Sequence, residues 1–365
     1  MHHQALRSLL LASAAFAMLG GSAHAAETIR QWQFAPQGET VELALREVAA
    51  PTPARGEVAV RVRAVSLNRR DLMMVAGNYG RGGTQPNGVP LSDGAGEVIA
   101  VGADVTRFKV GDRVAGIFFE GWLDGAPTAE SLATARGGNA GGMLSEIVVT
   151  AAEGLVTIPE HLTFEEAATL PCAGVTAWVS LFKRGRLEAG DFVLLEGTGG
   201  VSVFGLQLAA AAGAKPIITS SSDAKLARAR ELGAFGTVNY RANPDWQREV
   251  RALTGGAGVD QVLEVGGQDT LPRALEALAY GGHIAIIGGL SGFATDVPVG
   301  TLMGLNATAS GIYVGSRADF EALNAFLAAH KIKPVVDKVF ELVDAPAAFA
   351  AMDSGEFFGK VVIRL

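Results

Sequence analysis

The residues with the clearest chemical meaning form a glycine-rich run, Gly197-Thr-Gly-Gly-Val-Ser202. An apolar run, FVLL at 192–195, precedes it, and an apolar helical pattern over 200–212 follows it. Glycine at a strand-to-helix turn lets the backbone approach a pyrophosphate, and the helix N-terminus offers unpaired N–H donors to the phosphate oxygens. Ser202 stands where a third glycine is usual, so the motif alone is also compatible with an ordinary glycine-rich turn. The strand before it and the crossover units after it favour a dinucleotide site.

The end of the next predicted strand indicates which dinucleotide binds. The strand over 216–219 ends in Ser220-Ser221-Ser222, and Lys225 and Arg228 follow on a predicted helix. A carboxylate at this strand end accepts hydrogen bonds from the ribose hydroxyls of NAD. Neutral hydroxyls with nearby cations instead favour NADP(H), with NAD(H) as a second possibility. Asp223 opposes this interpretation, but we interpret it as a helix N-cap. The alternative for the serine run is a loop that binds no ligand.

The period of the apolar residues changes along the chain and predicts the fold class. EVAVRVR over 57–63 alternates, and similar short runs follow it between glycine turns, which predicts an antiparallel barrel or sandwich-like first domain. From FVLL to HIAIIG at 283–288, apolar strands alternate with helical segments, which indicates crossover units and a parallel sheet. The fold class is therefore α/β. Short strands return at 335–340 and 360–364 around an alanine-rich helix.

Composition excludes several classes of protein. The 365 residues include 30 Lys and Arg against 37 Asp and Glu, a formal charge of −7, which leaves no basic excess for nucleic acid. Hydrophobic residues make up 49% and charged residues 18%, so the chain is not disordered. The length favours two domains. The single cysteine, Cys172, excludes an internal disulfide and an all-thiolate zinc site.

Residues 1–25 have the pattern of a secretory signal peptide. Arg7 precedes an apolar run over 9–19, and Ala23-His24-Ala25 forms a small-x-small cleavage pattern. The apolar run is shorter than the roughly 20 residues that cross a bilayer, and we predict no membrane span. We expect cleavage after Ala25 and a periplasmic or secreted protein. A cytoplasmic location is the alternative, because reduced nicotinamide is not expected to be abundant outside the cytoplasm.

Three motifs in this order resemble the medium-chain dehydrogenase/reductase superfamily. They are Asp93-Gly-Ala-Gly-Glu-Val98, Gly111-Asp-Arg-Val114 and Gly197-Thr-Gly-Gly-Val-Ser-Val-Phe-Gly205. The resemblance extends from about Arg30 to Leu365. It implies a GroES-like β-barrel catalytic domain built from both ends of the chain, a Rossmann domain with a doubly wound parallel sheet between them, and an active site in the cleft.

The resemblance divides the mature chain into three segments. We assign 26–171 to the first part of the GroES-like catalytic domain, 172–316 to the Rossmann cofactor-binding domain and 317–365 to the return to the catalytic domain. In that family Thr176 matches a threonine that contacts the nicotinamide, and Tyr240 matches a residue on the adenine side. The other implied cofactor contacts are Asn68, Gly197, Thr198, Gly199, Gly200, Val201, Ser220, Ser221, Lys225, Gly288 and Lys360.

The zinc pattern of the alcohol dehydrogenases in this superfamily is mostly missing. Asn68 stands where they have a cysteine, Ser92 where they have a histidine, and Cys172 alone matches a ligand. Their four-cysteine structural lobe would fall between residues 119 and 142, a stretch without cysteine. Because a catalytic zinc normally has three protein ligands, we predict that zinc is absent. We interpret Cys172 as a small buried apolar residue.

The zinc-free members that this chain resembles reduce quinones, conjugated enones or enoyl thioesters by hydride transfer. Asn68 matches a position near the nicotinamide in the quinone reductase-like branch. Tyr79 matches the proton donor of the enoyl reductase branch, where a phenol of pKa about 10 can donate to a developing enolate. The alternative for Tyr79 is a tyrosine that only packs in the cleft. An apolar cleft is suggested by Met73, Phe118, Phe119, Trp122 and Leu290.

Together these features predict an NADP(H)-dependent reductase of a small apolar quinone, enone or related carbonyl compound, with Tyr79 and Asn68 as catalytic residues. A zinc-free alcohol dehydrogenase is one alternative. A non-catalytic exported dinucleotide-binding protein is another, and the signal peptide favours it. The segment ATASGIYV over 307–314 has the pattern of an apolar edge strand, which predicts a homodimer or higher oligomer.

Overall fold

The computed structural model describes residues 27–37, 40–79, 85–294 and 299–365. The predicted signal peptide, residues 1–25, lies outside these ranges. Among the helices of these ranges, none has the length and apolar character to cross a bilayer.

The described residues form strands and helices throughout both predicted domains. In chain order the strands are β1 (Thr28–Gln37), β2 (Thr40–Ala49), β3 (Glu57–Ser66), β4 (Asp93–Val101), β5 (Arg113–Gly116), β6 (Ile147–Ala151), β7 (Leu155–Thr157), β8 (Phe192–Leu195), β9 (Lys215–Ser220), β10 (Gly236–Asn239), β11 (Val259–Glu264), β12 (Leu278–Ile286), β13 (Thr308–Gly311), β14 (Val336–Glu341) and β15 (Lys360–Arg364). The α-helices are α1 (Arg69–Val75), α2 (Ala129–Leu132), α3 (Phe164–Ala167), α4 (Val175–Trp178), α5 (Gly200–Ala211), α6 (Asp223–Glu231), α7 (Trp246–Leu253), α8 (Leu271–Ala277), α9 (Val299–Leu305), α10 (Arg317–His330) and α11 (Ala345–Ser354).

Both ends of the chain build the first sheet. Its strands follow the order β14-β15-β3-β4-β5-β7, and β6 pairs with β3. All pairs are antiparallel except β14 with β15. The alternation over 57–63 predicts a buried face of Val58, Val60 and Val62, and all three side chains are buried. The C-terminal strand β15 lies directly beside β3, so residues near 360 come close to those that follow β3.

The second sheet is the predicted doubly wound parallel sheet. Its order is β10-β9-β8-β11-β12-β13, and every pair is parallel. The chain starts at β8, winds outward through β9 and β10, then returns to the other side of β8 with β11. The strand order therefore reverses between β8 and β11, and ligands of such sheets bind outside the carboxyl ends of the strands at that point. Its strands fall inside the predicted range 172–316.

A long helical segment packs between the two sheets. Helix α4 is flanked by π-helical turns at Leu170–Gly174 and Val179–Arg184. Side chains from both units share one apolar cluster with this segment, including Phe204, Leu323 and Phe358. The apolar contact fixes the two sheets relative to each other and creates the cleft between them.

Three details differ from the sequence-based expectations. The strand predicted over 307–314 is shorter, because β13 ends at Gly311 and Val314 adopts a positive φ of 57° that a strand cannot contain. It does lie at the edge of the parallel sheet. The antiparallel β1–β2 hairpin and helix α10 were not anticipated, although Phe320, Leu323 and Leu327 of α10 do have helical spacing.

Candidate functional site

The glycine-rich run forms the turn between β8 and α5, as predicted. Gly197 adopts φ +70°, a conformation that favours glycine, and its N–H donates to Thr219 Oγ1 at 3.2 Å. The close helix-to-strand approach occurs at Gly205, where an added Cβ would lie 2.7 Å from Leu195 Cδ2. Ser202 instead donates its hydroxyl to the Glu196 carbonyl at 2.6 Å. The serine therefore fits at the third position of the motif.

A cavity of about 700 Å³ opens beside this turn, at the carboxyl ends of β8, β9 and β11. Among the predicted residues, Gly197, Tyr240 and Leu290 line it. The sequence analysis missed other lining residues, including Glu196, Thr219, Gly266, Asp269, Thr270 and Arg273. The volume and the position at the topological switch suit a dinucleotide.

Two buried carboxyl groups lie at this edge of the sheet. Glu196 immediately follows β8, and Glu264 is the last residue of β11. Glu264 Oε1 accepts hydrogen bonds from Gly266 N, Gly267 N and Thr270 Oγ1 at 2.6–2.8 Å. Burial and the neighbouring Glu264 carboxylate raise the pKa of Glu196 well above its ordinary value. This shift favours the protonated form of Glu196, and the hydrogen bonds to Glu264 hold the loop that lines the cavity.

The residues predicted to select the cofactor lie at the start of α6. Ser220 is buried, and its Oγ accepts from Ser222 N at 3.3 Å. Ser222 caps the helix, since its Oγ accepts from Lys225 N at 3.4 Å. The interpretation of Asp223 as the cap is wrong, because it is the first helical residue and its carboxylate accepts from Asn239 Nδ2 at 2.7 Å.

The two cations on α6 hold the C-terminal segment. Lys225 Nζ donates to the Gly355 carbonyl at 2.7 Å, and Arg228 Nη1 donates to Asp337 Oδ1 at 2.6 Å. Burial lowers the pKa of Lys225. These contacts place both cations at the junction of the two units, on the side of α6 that faces the return segment.

Lys360 joins the glycine turn to the predicted catalytic position Asn68. Its buried ammonium donates to Asn68 Oδ1 at 2.6 Å and to the Leu67 carbonyl at 2.7 Å. Gly359 N donates to the Thr198 carbonyl at 3.0 Å, so β15 reaches the turn itself. The Lys360 side chain also lies against Gly200, where an added Cβ would be 2.6 Å from its Cδ. Asn68, Thr198, Gly200 and Lys360 are thus brought together.

The remaining predicted cofactor residues surround this junction. Gly199 forms a bridge with Gly359, and Val201 follows in the first turn of α5. Thr176 is buried in α4. Gly288 N donates to the Glu264 carbonyl at 3.3 Å, so it lies beside the cavity. Ser221, also predicted to contact the cofactor, is not among the residues that line the cavity.

The three positions that match zinc ligands in the alcohol dehydrogenases carry a different network. Ser92 Oγ donates to Asp93 Oδ1 at 2.7 Å, and Cys172 N donates to Asp93 Oδ2 at 3.2 Å. Burial raises the pKa values of Asp93 and of the Cys172 thiol. An amide bound to an ammonium, a serine hydroxyl and a single thiol do not make a zinc ligand set. Within the described ranges no cluster of three His, Cys, Asp or Glu side chains suits a metal.

Asn68 itself is held by its neighbour on α1. Its backbone N–H donates to Asp71 Oδ2 at 2.7 Å, and Asp71 lies 3.6 Å from Arg70 Nη1. Burial raises the pKa of Asp71 to about 6. The Asn68 side chain is buried, and it interacts with the Asp93 carboxyl group, where it offsets part of the pKa rise that burial causes.

Tyr79 meets a tyrosine of the second unit across the cleft. Its hydroxyl lies 3.0 Å from that of Tyr313, which follows β13. The guanidinium of Arg70 lies 5.0 Å from the Tyr79 ring centroid and 4.8 Å from that of Phe118. Burial raises the pKa of Tyr79. The sequence analysis missed Tyr313 and Arg70 at this position.

The predicted apolar residues do not all lie in one wall. Phe118 and Phe119 pack against Tyr313, with ring centroids 6.2 and 4.9 Å away. Trp122 packs behind Phe119 and lines a second cavity of about 330 Å³. Leu290 lines the dinucleotide cavity instead. Phe118 and Phe119 are fully buried, so they support Tyr313 and do not line an open cavity.

Two family models match this chain. Residues 54–160 match the alcohol dehydrogenase GroES-like domain, and residues 200–329 match the zinc-binding dehydrogenase model. The matches confirm the α/β fold class with a GroES-like unit and a Rossmann unit. The name of the second model does not agree with the donor set around Asn68, Ser92 and Cys172.

Relatives of known sequence cover most of the chain. A zinc-type alcohol dehydrogenase-like protein of Schizosaccharomyces pombe is 44% identical over 316 residues, which are 85% of this chain and 91% of the relative. A quinone oxidoreductase of Pseudomonas aeruginosa is 35% identical over 318 residues, 86% of this chain and 87% of the relative.

Solved structures share the fold. A Sinorhizobium meliloti protein with the provisional name alcohol dehydrogenase has a TM-score of 0.88 at 42% identity, covering 93% of this chain and all of that one. An NAD-dependent alcohol dehydrogenase has a TM-score of 0.81 at 33% identity, covering 92% and 99%. The chain therefore belongs to the medium-chain dehydrogenase/reductase superfamily of oxidoreductases, which bind a nicotinamide dinucleotide.

Proposed function

We propose that the protein is an NADP(H)-dependent reductase that acts on a quinone, enone or related carbonyl compound without zinc. The observation that carries the proposal is the contact between the hydroxyls of Tyr79 and Tyr313, 3.0 Å apart. The Asn68 amide, bound to the Lys360 ammonium, is the second supporting feature. The bound reduced dinucleotide supplies a hydride. The chain supplies hydrogen-bond donors for the substrate oxygen in place of a Lewis acid.

Two features of the chain support the zinc-free part of the proposal. Lys360 Nζ, 2.6 Å from Asn68 Oδ1, places a positive charge where a metal cation would be repelled. Cys172, which is partly buried, is the single thiol among the three positions, and one thiol cannot hold a catalytic zinc alone. The quinone oxidoreductase relative supports the choice of acceptor.

The test is oxidation of the reduced dinucleotide, followed by its absorbance, with a panel of quinones, enones and aldehydes. We expect turnover with quinones or enones and little with simple alcohols in the reverse direction. Fast alcohol oxidation would favour the zinc-free alcohol dehydrogenase. Tight dinucleotide binding with no turnover of any acceptor would favour the non-catalytic exported binding protein.

We infer a preference for NADPH from the end of β9. Ser220 stands at the position where a carboxylate would select NAD, and the Asp223 carboxylate is engaged by Asn239. Lys225 lies at the start of the same helix and can neutralise a 2′-phosphate once it leaves the Gly355 carbonyl. The NAD-dependent neighbour keeps NAD(H) as the alternative.

We further propose a homodimer that pairs through the edge strand β13. This strand ends the parallel sheet, and Val299 and Met303 of the neighbouring α9 are 62% and 76% exposed. An open edge beside exposed apolar side chains favours pairing about a two-fold axis. Light scattering tests this, and a monomeric mass at micromolar concentration contradicts it.

The location remains a proposal from the N-terminal pattern. We propose that residues 1–25 are removed after Ala25 and that the mature protein is periplasmic or secreted. Mass spectrometry of the mature N-terminus in fractionated cells tests this. An intact N-terminus in the cytosolic fraction would support the cytoplasmic alternative.

A further inference from the structure

The tyrosine pair, Tyr79 and Tyr313, is a direct polar contact between the two units in the cleft. Tyr79 follows α1, and Tyr313 comes 234 residues later, two positions after the end of β13. Val314 has a positive φ of 57°, which is rare and costly for a β-branched residue. The bend it makes carries the chain away from the edge of the sheet at the point where Tyr313 contacts Tyr79.

The two tyrosines differ in exposure and in their charged neighbours. Tyr313 is 47% exposed, whereas Tyr79 is partly buried. The guanidinium of Arg70, itself buried, lies 5.0 Å from the Tyr79 ring centroid. Burial raises the pKa of Tyr79, and the charge of Arg70 and its hydrogen bond to Tyr79 offset part of that rise.

We propose that Tyr313 is a second catalytic residue and that the hydroxyls of the tyrosine pair bind one substrate carbonyl oxygen together. The inference rests on the proposed reductase function. The two phenol oxygens are 3.0 Å apart, so one oxygen atom can lie at an ordinary O–H···O distance of about 2.7 Å from both. In the absence of substrate, one hydroxyl donates to the other. When a carbonyl oxygen enters, both donate to it.

In the proposed reaction, the reduced dinucleotide is the reductant and the enone or quinone is the acceptor. The hydride forms a C–H bond at the electron-poor carbon of an enone or quinone, the π electrons shift, and the carbonyl oxygen gains the negative charge. Tyr79 transfers its phenol proton to that oxygen. The resulting Tyr79 phenolate takes a proton from Tyr313, and Tyr313, the more exposed residue, takes one from solvent. The dinucleotide leaves oxidised, and the substrate has gained a hydride and a proton.

This arrangement selects a class of substrate. Two donors that converge on one oxygen stabilise a charge that grows during the reaction, as in quinones and conjugated enones. The rings of Phe118 and Phe119 are buried and pack against Tyr313, so they hold that tyrosine in position. Arg70 acts as a positioning residue, because it contacts the Tyr79 ring and not the cleft.

The test compares Tyr313→Phe and Tyr79→Phe with Tyr280→Phe, whose side chain is 80% exposed on β12 and serves as the control. We expect each of the first two changes to lower kcat/KM for a quinone or enone by about ten- to a hundredfold, the loss of one hydrogen bond to a charged oxygen. The double variant should lose less than the product of the two single losses, since the pair acts as a unit. Affinity for NADPH should be unchanged in all of them.

A second readout does not depend on turnover. With the oxidised dinucleotide bound, 4-nitrophenol should ionise more readily on the protein than in water, because the tyrosine pair stabilises its oxyanion. Tyr313→Phe and Tyr79→Phe should each reduce this spectral shift, and Tyr280→Phe should retain it. If the unaltered protein reduces no acceptor, the proposed function fails, but this readout still decides the role of Tyr313. Retention of both turnover and the shift in Tyr313→Phe would overturn the inference.

Discussion

The guanidinium of Arg136 lies buried 3.2 Å from the carboxylate of Glu120, inside the segment 119–142. Arg136 Nε also donates to the Ile117 carbonyl at 3.0 Å, and Nη2 donates to Thr150 Oγ1 at 2.5 Å. The carbonyl of Arg136 accepts from Arg70 Nη1 at 2.9 Å. This is the segment where the resemblance to alcohol dehydrogenases would place a four-cysteine lobe. Here a buried arginine connects the segment to the first sheet.

Replacement of Arg136 by methionine should destabilise the protein strongly. The change leaves the Ile117 and Gly154 carbonyl groups without this donor and removes the charge beside Glu120, which keeps its hydrogen bond from Thr150 Oγ1. Breaking a buried ion pair costs about 3–5 kcal/mol. The matched control is Arg55→Met, because Arg55 and Asp104 form an exposed pair that contributes less than about 1 kcal/mol. Chemical denaturation of both variants measures the difference. Equal free energies of unfolding in the two variants would contradict the role of Arg136.

The second prediction concerns zinc content. The protein, purified without chelator, should contain no stoichiometric zinc by elemental analysis, because the Asn68, Ser92 and Cys172 positions do not supply a ligand set. Asn68→Cys with Ser92→His should still bind zinc weakly while Lys360 is present, and addition of Lys360→Met should strengthen binding. One zinc per chain in the unaltered protein would show that the proposal is wrong.

The elements that could be predicted from sequence are those with strong local signals. FVLL is uniformly apolar and ends at a glycine turn, and it matches β8 residue for residue. The helix predicted to carry Lys225 and Arg228 is observed as Asp223–Glu231, since a serine cap and a glycine at position 233 mark its ends. The β1–β2 hairpin could not be recognised, because apolar and polar residues in TIRQWQFAPQ do not alternate cleanly.

The candidate site was predictable only where a motif is continuous in sequence. The glycine turn is one such motif. Tyr313 was assigned to a dimerising edge strand, since nothing in ATASGIYV shows that the strand ends at Gly311 or that Val314 turns the chain toward Tyr79. The Glu196 and Glu264 pair arises because β8 and β11 are neighbours in the sheet, a fact of topology that neither segment encodes alone.

The third prediction tests the cofactor preference. Lys225→Ala should weaken NADPH binding about tenfold or more and leave NADH binding nearly unchanged, because a charge-assisted hydrogen bond contributes about 1.5–3 kcal/mol. Lys333→Ala is the control, since Lys333 is 60% exposed beside Glu166. Fluorescence titration gives the dissociation constants. Equal losses of affinity for NADPH and NADH in Lys225→Ala would contradict the prediction. A preference for NADPH that persists in Lys225→Ala but disappears in Arg273→Ala would also contradict it, because Arg273 is a cation in the cavity wall.

The last prediction follows from the buried carboxyl pair. The folded protein binds a proton at Glu196 more tightly than the unfolded chain does, because burial and Glu264 raise its pKa well above the ordinary 4.5. The stability that this proton contributes is fully present below the ordinary pKa and is lost as pH rises toward the raised pKa. The free energy of unfolding should therefore fall as pH rises above 4.5. Glu196→Gln should remove the part of this fall that Glu196 causes.

The glutamine should fit the site, because its carbonyl oxygen can still accept from Val265 N and Gly266 N and its amide can donate to Glu264. The control is Glu188→Gln on the exposed loop before β8, which should leave the pH dependence unchanged. Chemical denaturation across the pH range measures each variant. If the stability difference between Glu196→Gln and the unaltered protein is the same at every pH, the pair does not hold a proton in the folded state. A difference that grows with pH in favour of the glutamine establishes that it does.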